Sequence, residues 1–334
     1  MGPATWTGLT PRMHPEDFRT DLFGYGRAWP IGYADLEPYH RAAEREIGVA
    51  ADADEPRADV GLPLPHGCVF PMRALPPSHL GRLMAGRLDG RCVKDPGTGD
   101  PVALRVVGTP HARNGVPNPS CDGGAGYVPV GAEGRSDPHN RRVGHASCIP
   151  FCPSQATYTP LKTQARWSPT VTLIDRAVVS RVLVDGTGRA TGVEYLSYRD
   201  GGGVTTHHLT ADVVAGSGPR EARTRTSPRF WGPASVAPRC GHPQGNGVGR
   251  QCALQFEMEQ GADPANRLTL DPRSRDALGL PRPVATYDLS PHVRDGIAAA
   301  KGVSDQIFAL LGAADHSDHA PGRCVLRLRR RPRS

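Results

Sequence analysis

The stretch that decides the fold reads Trp29-Pro30-Ile31-Gly32-Tyr33-Ala34-Asp35-Leu36-Glu37-Pro38-Tyr39 and runs on to Ile47-Gly48-Val49. From Ala34 to Ile47, apolar residues recur at steps of three and four, which predicts an amphipathic helix. Glu37 lies in the first turn, and Gly48 supplies the stop. We expect its apolar side to pack on a core, with Arg41, Glu44 and Arg45 on the other side. The apolar positions are Leu36, Tyr39, Ala43 and Ile47.

The composition indicates a chain rich in loops. Its 334 residues include 40 glycines and 34 prolines, and 38% are hydrophobic. No window holds the roughly 18 apolar residues of a spanning helix, and the N-terminus lacks a signal-peptide pattern. We therefore expect no transmembrane segment and a cytoplasmic protein, soluble or peripherally attached to a membrane. Eight cysteines are too few and too scattered for a disulfide scaffold.

The basic charge is concentrated at the C-terminus. The formal net charge is +7, but six arginines lie in the last twelve residues, and without them the net charge is +1. No aromatic residues are interleaved with these arginines, as they are in many nucleic-acid interfaces. We expect a disordered basic tail over 314–334 and no nucleic-acid partner.

The middle of the chain has a β pattern. Ala177 to Val184, Gly192 to Tyr198 and Val204 to Leu209 are separated by Asp-Gly clusters at 185–188 and 200–203, which are hairpin signals. These runs predict a three-stranded antiparallel meander. The apolar run Ala211 to Gly216 follows it and predicts a short strand ending in glycine, the position from which α/β sheets present backbone to ligands.

Further elements are predicted on both sides of the meander. Ser78 is a suitable N-cap for a helix that ends before Gly90. Residues 266–270 and 284–288 are predicted strands on either side of a loop. Ser290 and Pro291 then open a long helix through Leu311. The fold class expected from this mixture is α/β, with helices and antiparallel strands both well represented.

Several segments resemble one family of flavoenzymes, the glucose–methanol–choline (GMC) oxidoreductases, in the branch of gluconate and sugar dehydrogenases. The opening stretch is similar to the WPISYxDLEPYY segment of that family, and residues 10–18 are similar to TPRxHPEDF. Residues 148–158 resemble CIPxCPxxAKY, and residues 276–283 resemble the DALGLPRP part of its substrate-domain sheet. The resemblance implies a partial FAD-binding GMC fold that contains the meander and the substrate-domain sheet.

The cofactor implied by the resemblance is FAD. In the family, a valine on the meander and small residues after the next strand face the adenosine half of the cofactor. Carried over by position, these residues are Val179, Ala215, Gly216 and Ser217. Small residues suit this role because they let main-chain N–H groups approach a bound nucleotide.

The reaction implied is oxidation of a CH–OH group in an alcohol, polyol or sugar, with hydride passing to the flavin and a histidine accepting the proton. His316 and His319 lie nearest to the family's catalytic segment, in a Ser- and Asp-rich loop typical of a surface. We therefore assign no catalytic residue. The expected partners are a small-molecule substrate and an electron acceptor or partner subunit.

The resemblance also organises the chain into regions. It implies that residues 1–55 and 165–250 form a partial FAD-binding region, and that 56–164 and 251–313 form a substrate-domain-like region. The family's glycine-rich opening loop and its closing histidine segment have no clear counterpart, so we expect a chain incomplete at both ends. A catalytically inactive fragment, or a non-enzymatic subunit that depends on a partner, is the alternative function.

Cys148 and Cys152 raise the question of a metal or iron–sulfur site, because thiolates bind zinc and iron–sulfur clusters. No cysteine directly precedes this pair, and Cys121 is far away in the sequence. Two cysteines do not complete a cluster site, so we predict no metal.

Overall fold

The computed structural model describes residues 8–23, 28–53, 64, 67–124, 126–128, 156–167, 169–199, 202–215, 235–237, 253–256 and 263–312. Helices and antiparallel strands are mixed along this part of the chain, in agreement with the predicted α/β class. The expected FAD-binding architecture stays a prediction.

Helices and strands form a simple order along the chain. The helices are α1 (Tyr33–Ile47), α2 (His79–Leu88), α3 (Pro160–Gln164) and α4 (Pro291–Leu311). Short 3-10 helices cover Pro15–Phe18, Thr20–Phe23 and Cys121–Gly124. The strands are β1 (Val49–Ala50), β2 (Cys92–Lys94), β3 (Pro101–Ala103), β4 (His111–Ala112), β5 (Ala177–Val184), β6 (Ala190–Tyr198), β7 (Val204–Thr210), β8 (Ser235–Ala237), β9 (Ala253–Gln255), β10 (Arg267–Arg275) and β11 (Pro281–Thr286).

Helix α1 ends at the predicted residue and begins one residue earlier than predicted, but it does not have the predicted orientation. The Asp35 carboxylate accepts a hydrogen bond from Gly32 N at 2.8 Å, and Gly48 ends the helix in the left-handed conformation. Its buried side chains are Tyr33, Glu37 and Glu44, whereas Tyr39 is 72% exposed. The expectation that Glu44 faces outward was therefore wrong, because a buried arginine described below lies opposite it.

Strand β4 holds together the first part of the chain. It pairs antiparallel with β1, and His111 also forms a bridge with Leu9. Met72 lies on the other side of β1, where its N–H donates to Val49 O at 3.2 Å and its carbonyl accepts from Ala51 N at 3.1 Å. Segments far apart in sequence therefore meet through short backbone pairings rather than through one long sheet.

Two apolar clusters fill the space around these pairings. One contains Ala50, Met72, Cys121 and Tyr127, with Leu75 and Tyr158 packed against it. The other contains Val49, Ala51, Leu64 and Phe70, with Ile47, Ala53 and Cys68 packed against it. Because β1 contributes to both clusters, the end of α1 is held at the centre of this core.

Helix α4 packs on α2 and on the β2–β3 hairpin. It follows the prediction closely: Ser290 Oγ accepts from Val293 N at 3.3 Å, Pro291 opens the helix, and Gly312 ends it. The shared core contains Met84, Leu88, Val93, Val303 and Ile307. The Gln306 side chain accepts from Lys94 N at 2.7 Å and donates to Lys94 O at 3.0 Å, so the helix also closes the edge of β2.

The predicted meander is confirmed. Strands β5, β6 and β7 form an antiparallel sheet in that order, and β10 pairs with β11 in a separate hairpin. Asp185 Oδ1 accepts from Thr187 N at 2.8 Å in the first meander turn, which is the local side-chain bonding that makes Asp-Gly clusters turn signals.

The strand predicted for Ala211 to Gly216 was wrong over the described residues 211–215. The N–H of Ala211 donates to Thr191 O at 2.9 Å and ends the ladder, and no strand follows over 212–215. Val213 is 82% exposed. An apolar run becomes a strand only where another strand can satisfy its backbone, and the described chain places none beside it.

Among the described residues, no helix combines the length and the apolar character that crossing a membrane requires.

Burial of the Tyr127 hydroxyl makes the free energy of unfolding depend on pH in the alkaline range. It donates to Arg45 O at 2.8 Å, and burial raises the pKa of Tyr127 to about 12 from 10.0. As the pH rises, the unfolded chain loses the Tyr127 proton before the folded chain does. The stabilisation from the buried hydroxyl is therefore complete below pH 10 and is lost as the pH rises from 10 to 12. We expect a loss of about 2–3 kcal/mol in unfolding free energy across this window.

Urea unfolding of the intact protein and of Tyr127→Phe, followed by circular dichroism between pH 9 and 12, measures this effect. At pH 9 the unfolding free energy of Tyr127→Phe should be about 1 kcal/mol lower than that of the intact protein, because Arg45 O loses its donor. Above pH 10 the unfolding free energy of the variant should fall less steeply. Parallel curves for the two proteins would contradict the assignment, since all other titrating groups are common to both.

Candidate functional site

Val179, the first residue assigned to the cofactor, lies on the edge strand β5 with its side chain 57% exposed. Its cross-strand partner is Tyr195 on β6, and the partner of Tyr195 is His207 on β7. Cross-strand partners share a face of the sheet, so these side chains form one row. A neighbouring row on this face consists of Val182, Val193 and Leu209. We call this surface the Val179 face.

The centre of the Val179 face is a pair of stacked rings. The centroids of Tyr195 and His207 are 4.9 Å apart, with an angle of 16° between the ring planes. The imidazole is held from the side, because His207 Nε2 lies 2.8 Å from Ser197 Oγ. The face therefore combines exposed aliphatic side chains with an ordered pair of rings, a composition suited to a flat, apolar ligand group.

The other residues assigned to the cofactor are less well placed. Ala215 is exposed and lies in the irregular segment after β7. Gly216 and Ser217 lie outside the described residues. The structure thus puts Val179 on an accessible apolar surface, and the grouping of all four residues stays a prediction.

The opposite face of the meander carries a polar group around Glu194, beside apolar residues such as the buried Leu196. Glu194 receives hydrogen bonds from Ser180 Oγ at 2.7 Å and Arg181 Nη2 at 2.9 Å, and His208 Nε2 lies 3.2 Å from its carboxylate. The hydrogen bond from Ser180, followed by that from His208, lowers the pKa of Glu194. The carboxylate is engaged by several neighbours at once, which makes this group a solvated surface network rather than a general base.

Sequence reasoning did not single out Tyr195, His207 or Glu194. The signal was present in the alternation of β6, because Val193, Tyr195 and Ser197 must share one face while Glu194 and Leu196 take the other. The register with β7, which selects His207 as the neighbour of Tyr195, depends on the turn between them and was visible only in the structure.

A second polar group lies in the interior, around Arg12. Its guanidinium donates to Glu44 through Nε at 2.7 Å and through Nη2 at 2.8 Å, a bidentate geometry. Nη1 donates to Glu37 at 3.2 Å and to the Tyr33 hydroxyl at 3.1 Å. The ring of Phe70 lies 5.7 Å from the guanidinium carbon. We call Arg12, Tyr33, Glu37 and Glu44 the Arg12 cluster.

The Arg12 cluster is structural in character. Burial opposes the charge on Arg12, but the hydrogen bonds and charges of Glu44 and Tyr33 outweigh it and raise the pKa of the guanidinium. The nearby Cys68 thiol lies 3.7 Å from Arg12 Nη2, and burial raises the pKa of Cys68 despite that positive charge. A paired carboxylate and a protonated thiol are poor nucleophiles and bases, so we interpret this group as a buried ion-pair network that holds α1 in place.

Other candidate residues lie outside the described part of the chain: Cys148, Cys152, His316 and His319. Within the described part, no group of three or more His, Cys, Asp or Glu side chains is arranged to hold a metal ion.

The chain is distantly similar to a known protein over part of its length. Over 195 residues the chain is 25% identical to the fructose dehydrogenase large subunit of Gluconobacter japonicus. The match covers 57% of this chain but 29% of that protein, so the chain spans less than a third of the relative's length. No family model matches the chain.

The Arg12 cluster predicts unequal roles for two arginines that both bind Glu37. Arg41 is bound to Glu37 at 3.1 Å but is largely exposed, whereas the side chain of Arg12 is 2% exposed. Arg12→Met leaves Glu44 buried without its cation, and we expect a loss of about 3–5 kcal/mol in unfolding free energy. Arg41→Met removes a surface pair, and we expect a loss below about 1 kcal/mol.

Urea unfolding monitored by circular dichroism at neutral pH compares these two variants with the intact chain. Equal losses in Arg12→Met and Arg41→Met would show that the buried cluster does not contribute as described.

Proposed function

We propose that this chain is an FAD-dependent oxidoreductase of the GMC type that acts on a CH–OH group of a sugar or related polyol. The distant match to a fructose dehydrogenase large subunit supports the sugar-dehydrogenase branch. The order of the sequence motifs, from the stretch at 29–39 to the segment at 276–283, supports the same family. The observation that carries the proposal is the Val179 face, because it presents the assigned valine on an accessible apolar surface.

The described residues fit the adenosine half of FAD better than its reactive half. Val179 offers an exposed aliphatic contact, and Tyr195 and His207 offer ring surfaces beside it. Ala215, Gly216 and Ser217 would supply main-chain contacts to the ribose or phosphates. When bound, FAD supplies hydride acceptance, and the protein supplies binding and orientation. We assign no proton acceptor.

The proposed regions follow from this assignment. Residues 1–55 and 165–250 would contribute to holding the cofactor, and 56–164 and 251–313 to enclosing the substrate. The core that α2 and β2 share with α4 supports grouping 56–164 with 251–313. Residues 314–334 are proposed as a basic tail.

Partners are proposed from the same comparison. The relative is named as a large subunit, which suggests a partner subunit or an electron acceptor for this chain as well. A partner-dependent, non-catalytic chain is the second candidate. It is favoured by one observation: the Val179 face leaves Val179, Val182 and Leu209 substantially exposed.

Binding and reduction of FAD test the proposal directly. The purified chain is incubated with FAD and freed of excess cofactor, and D-fructose is then added without oxygen. We expect retained flavin absorbance that bleaches on addition of the sugar. A chain that retains no flavin, or flavin that fructose and related polyols leave oxidised, would overturn the proposed activity and favour the non-catalytic candidate.

Two matched substitutions locate the cofactor on the sheet. Val179→Glu introduces a charge where the adenosine half is proposed to lie. We expect at least about tenfold weaker FAD binding, because placing a carboxylate in an apolar contact costs more than about 1.4 kcal/mol. Val184→Glu changes a similarly exposed valine at the end of the same strand and should bind FAD as the intact chain does. Fluorescence titration with FAD measures both, and equal affinities would exclude Val179 from the site.

A further inference from the structure

We propose that Tyr195 and His207 form a stacking platform that receives the adenine base of the nucleotide cofactor above Val179. The inference rests on the proposed function in one respect, because FAD supplies the adenine. It adds two residues, and a stacking mode, that neither the resemblance nor the comparison assigns to the site.

The ring geometry fixes the direction of the platform. Tyr195 and His207 are direct cross-strand partners, and their centroids are 4.9 Å apart with nearly parallel planes. Rings lying side by side in one plane cannot approach this closely without overlap of their edge atoms, so the two rings overlap face to face. The stack therefore runs across the strands, and its spacing matches the distance between neighbouring strands.

The free end of the stack points toward Val179. One face of the Tyr195 ring is covered by His207 on β7, and its other face is turned toward β5, where Val179 is the cross-strand partner. The Val179 side chain is 57% exposed, so a flat group can lie above it. A base in this position would lie on the aliphatic side chain of Val179 and beside the ring of Tyr195.

His207 acts through Tyr195 and is a positioning residue. Its Nε2 is held 2.8 Å from Ser197 Oγ, on the same strand as Tyr195 and two residues away. This contact fixes the imidazole plane, and the stacked imidazole in turn limits rotation of the Tyr195 ring. A platform ordered before the ligand arrives loses less conformational entropy on binding.

Titration of the full chain with AMP, FAD and ribose 5-phosphate, followed by calorimetry, tests the platform. We expect AMP and FAD to bind and ribose 5-phosphate to bind at least about tenfold more weakly than AMP, because the base contributes the stacking. Tyr195→Ala should weaken AMP and FAD about tenfold, whereas Tyr195→Phe keeps the ring and should retain the affinity. Tyr198→Ala, on the same strand but on the opposite face, is the matched control and should bind AMP normally.

Two substitutions of His207 test its positioning role. His207→Ala should weaken AMP about threefold, and His207→Phe should restore the affinity because a ring again supports Tyr195. Thermal unfolding of each variant shows whether the sheet remains folded. The platform is overturned if the intact chain binds no AMP, if ribose 5-phosphate binds as tightly as AMP, or if folded Tyr195→Ala binds AMP as the intact chain does.

Failure of the platform is distinguishable from failure of the proposed function. A chain that reduces bound FAD with fructose, and whose Tyr195→Ala variant binds FAD unchanged, would overturn the platform alone. A chain that binds AMP through Tyr195, but leaves FAD oxidised with every sugar or polyol, would support the platform and overturn the proposed activity.

Discussion

The bidentate ion pair between Arg12 and Glu44 is the interaction on which the first part of the structure depends. It fixes the segment before the first 3-10 helices onto α1, and α1 in turn ends at β1, which contributes to two apolar clusters. Two carboxylates and a guanidinium removed from water need each other, because a lone buried charge is far more costly than the pair. The polar contact therefore sets the orientation of α1, and the surrounding apolar packing follows from that orientation.

The local signals in the sequence predicted the elements well. Each of these signals acts through hydrogen bonds with the backbone of near neighbours. They are the N-cap serines at 78 and 290, the glycines at 48 and 312, and the Asp-Gly turns of the meander. Such bonds depend on a few adjacent residues, so they can be inferred without the tertiary structure. The limits of α1 and α4 and the three meander strands were predictable for this reason.

The features that could not be predicted from the sequence depend on residues that are distant in the chain. Periodicity assigned the apolar side of α1 to the core, but Arg12, more than twenty residues earlier, turned Glu37 and Glu44 inward instead. The run after Ala211 is apolar, yet it has no neighbouring strand in the described chain and did not become one. In the candidate site, the resemblance supplied Val179, whereas the register between β6 and β7 was required to find the ring pair beside it.

The contact between Gln306 and Lys94 joins residues 212 positions apart. A ribosome adding roughly 5–20 residues per second needs on the order of 10–40 s to synthesise the intervening chain. During that interval Met84 and Leu88 lack the helix that covers them in the finished protein. The side chains that α4 covers in the folded protein are therefore made long before α4 itself, so this core can close only near the end of synthesis.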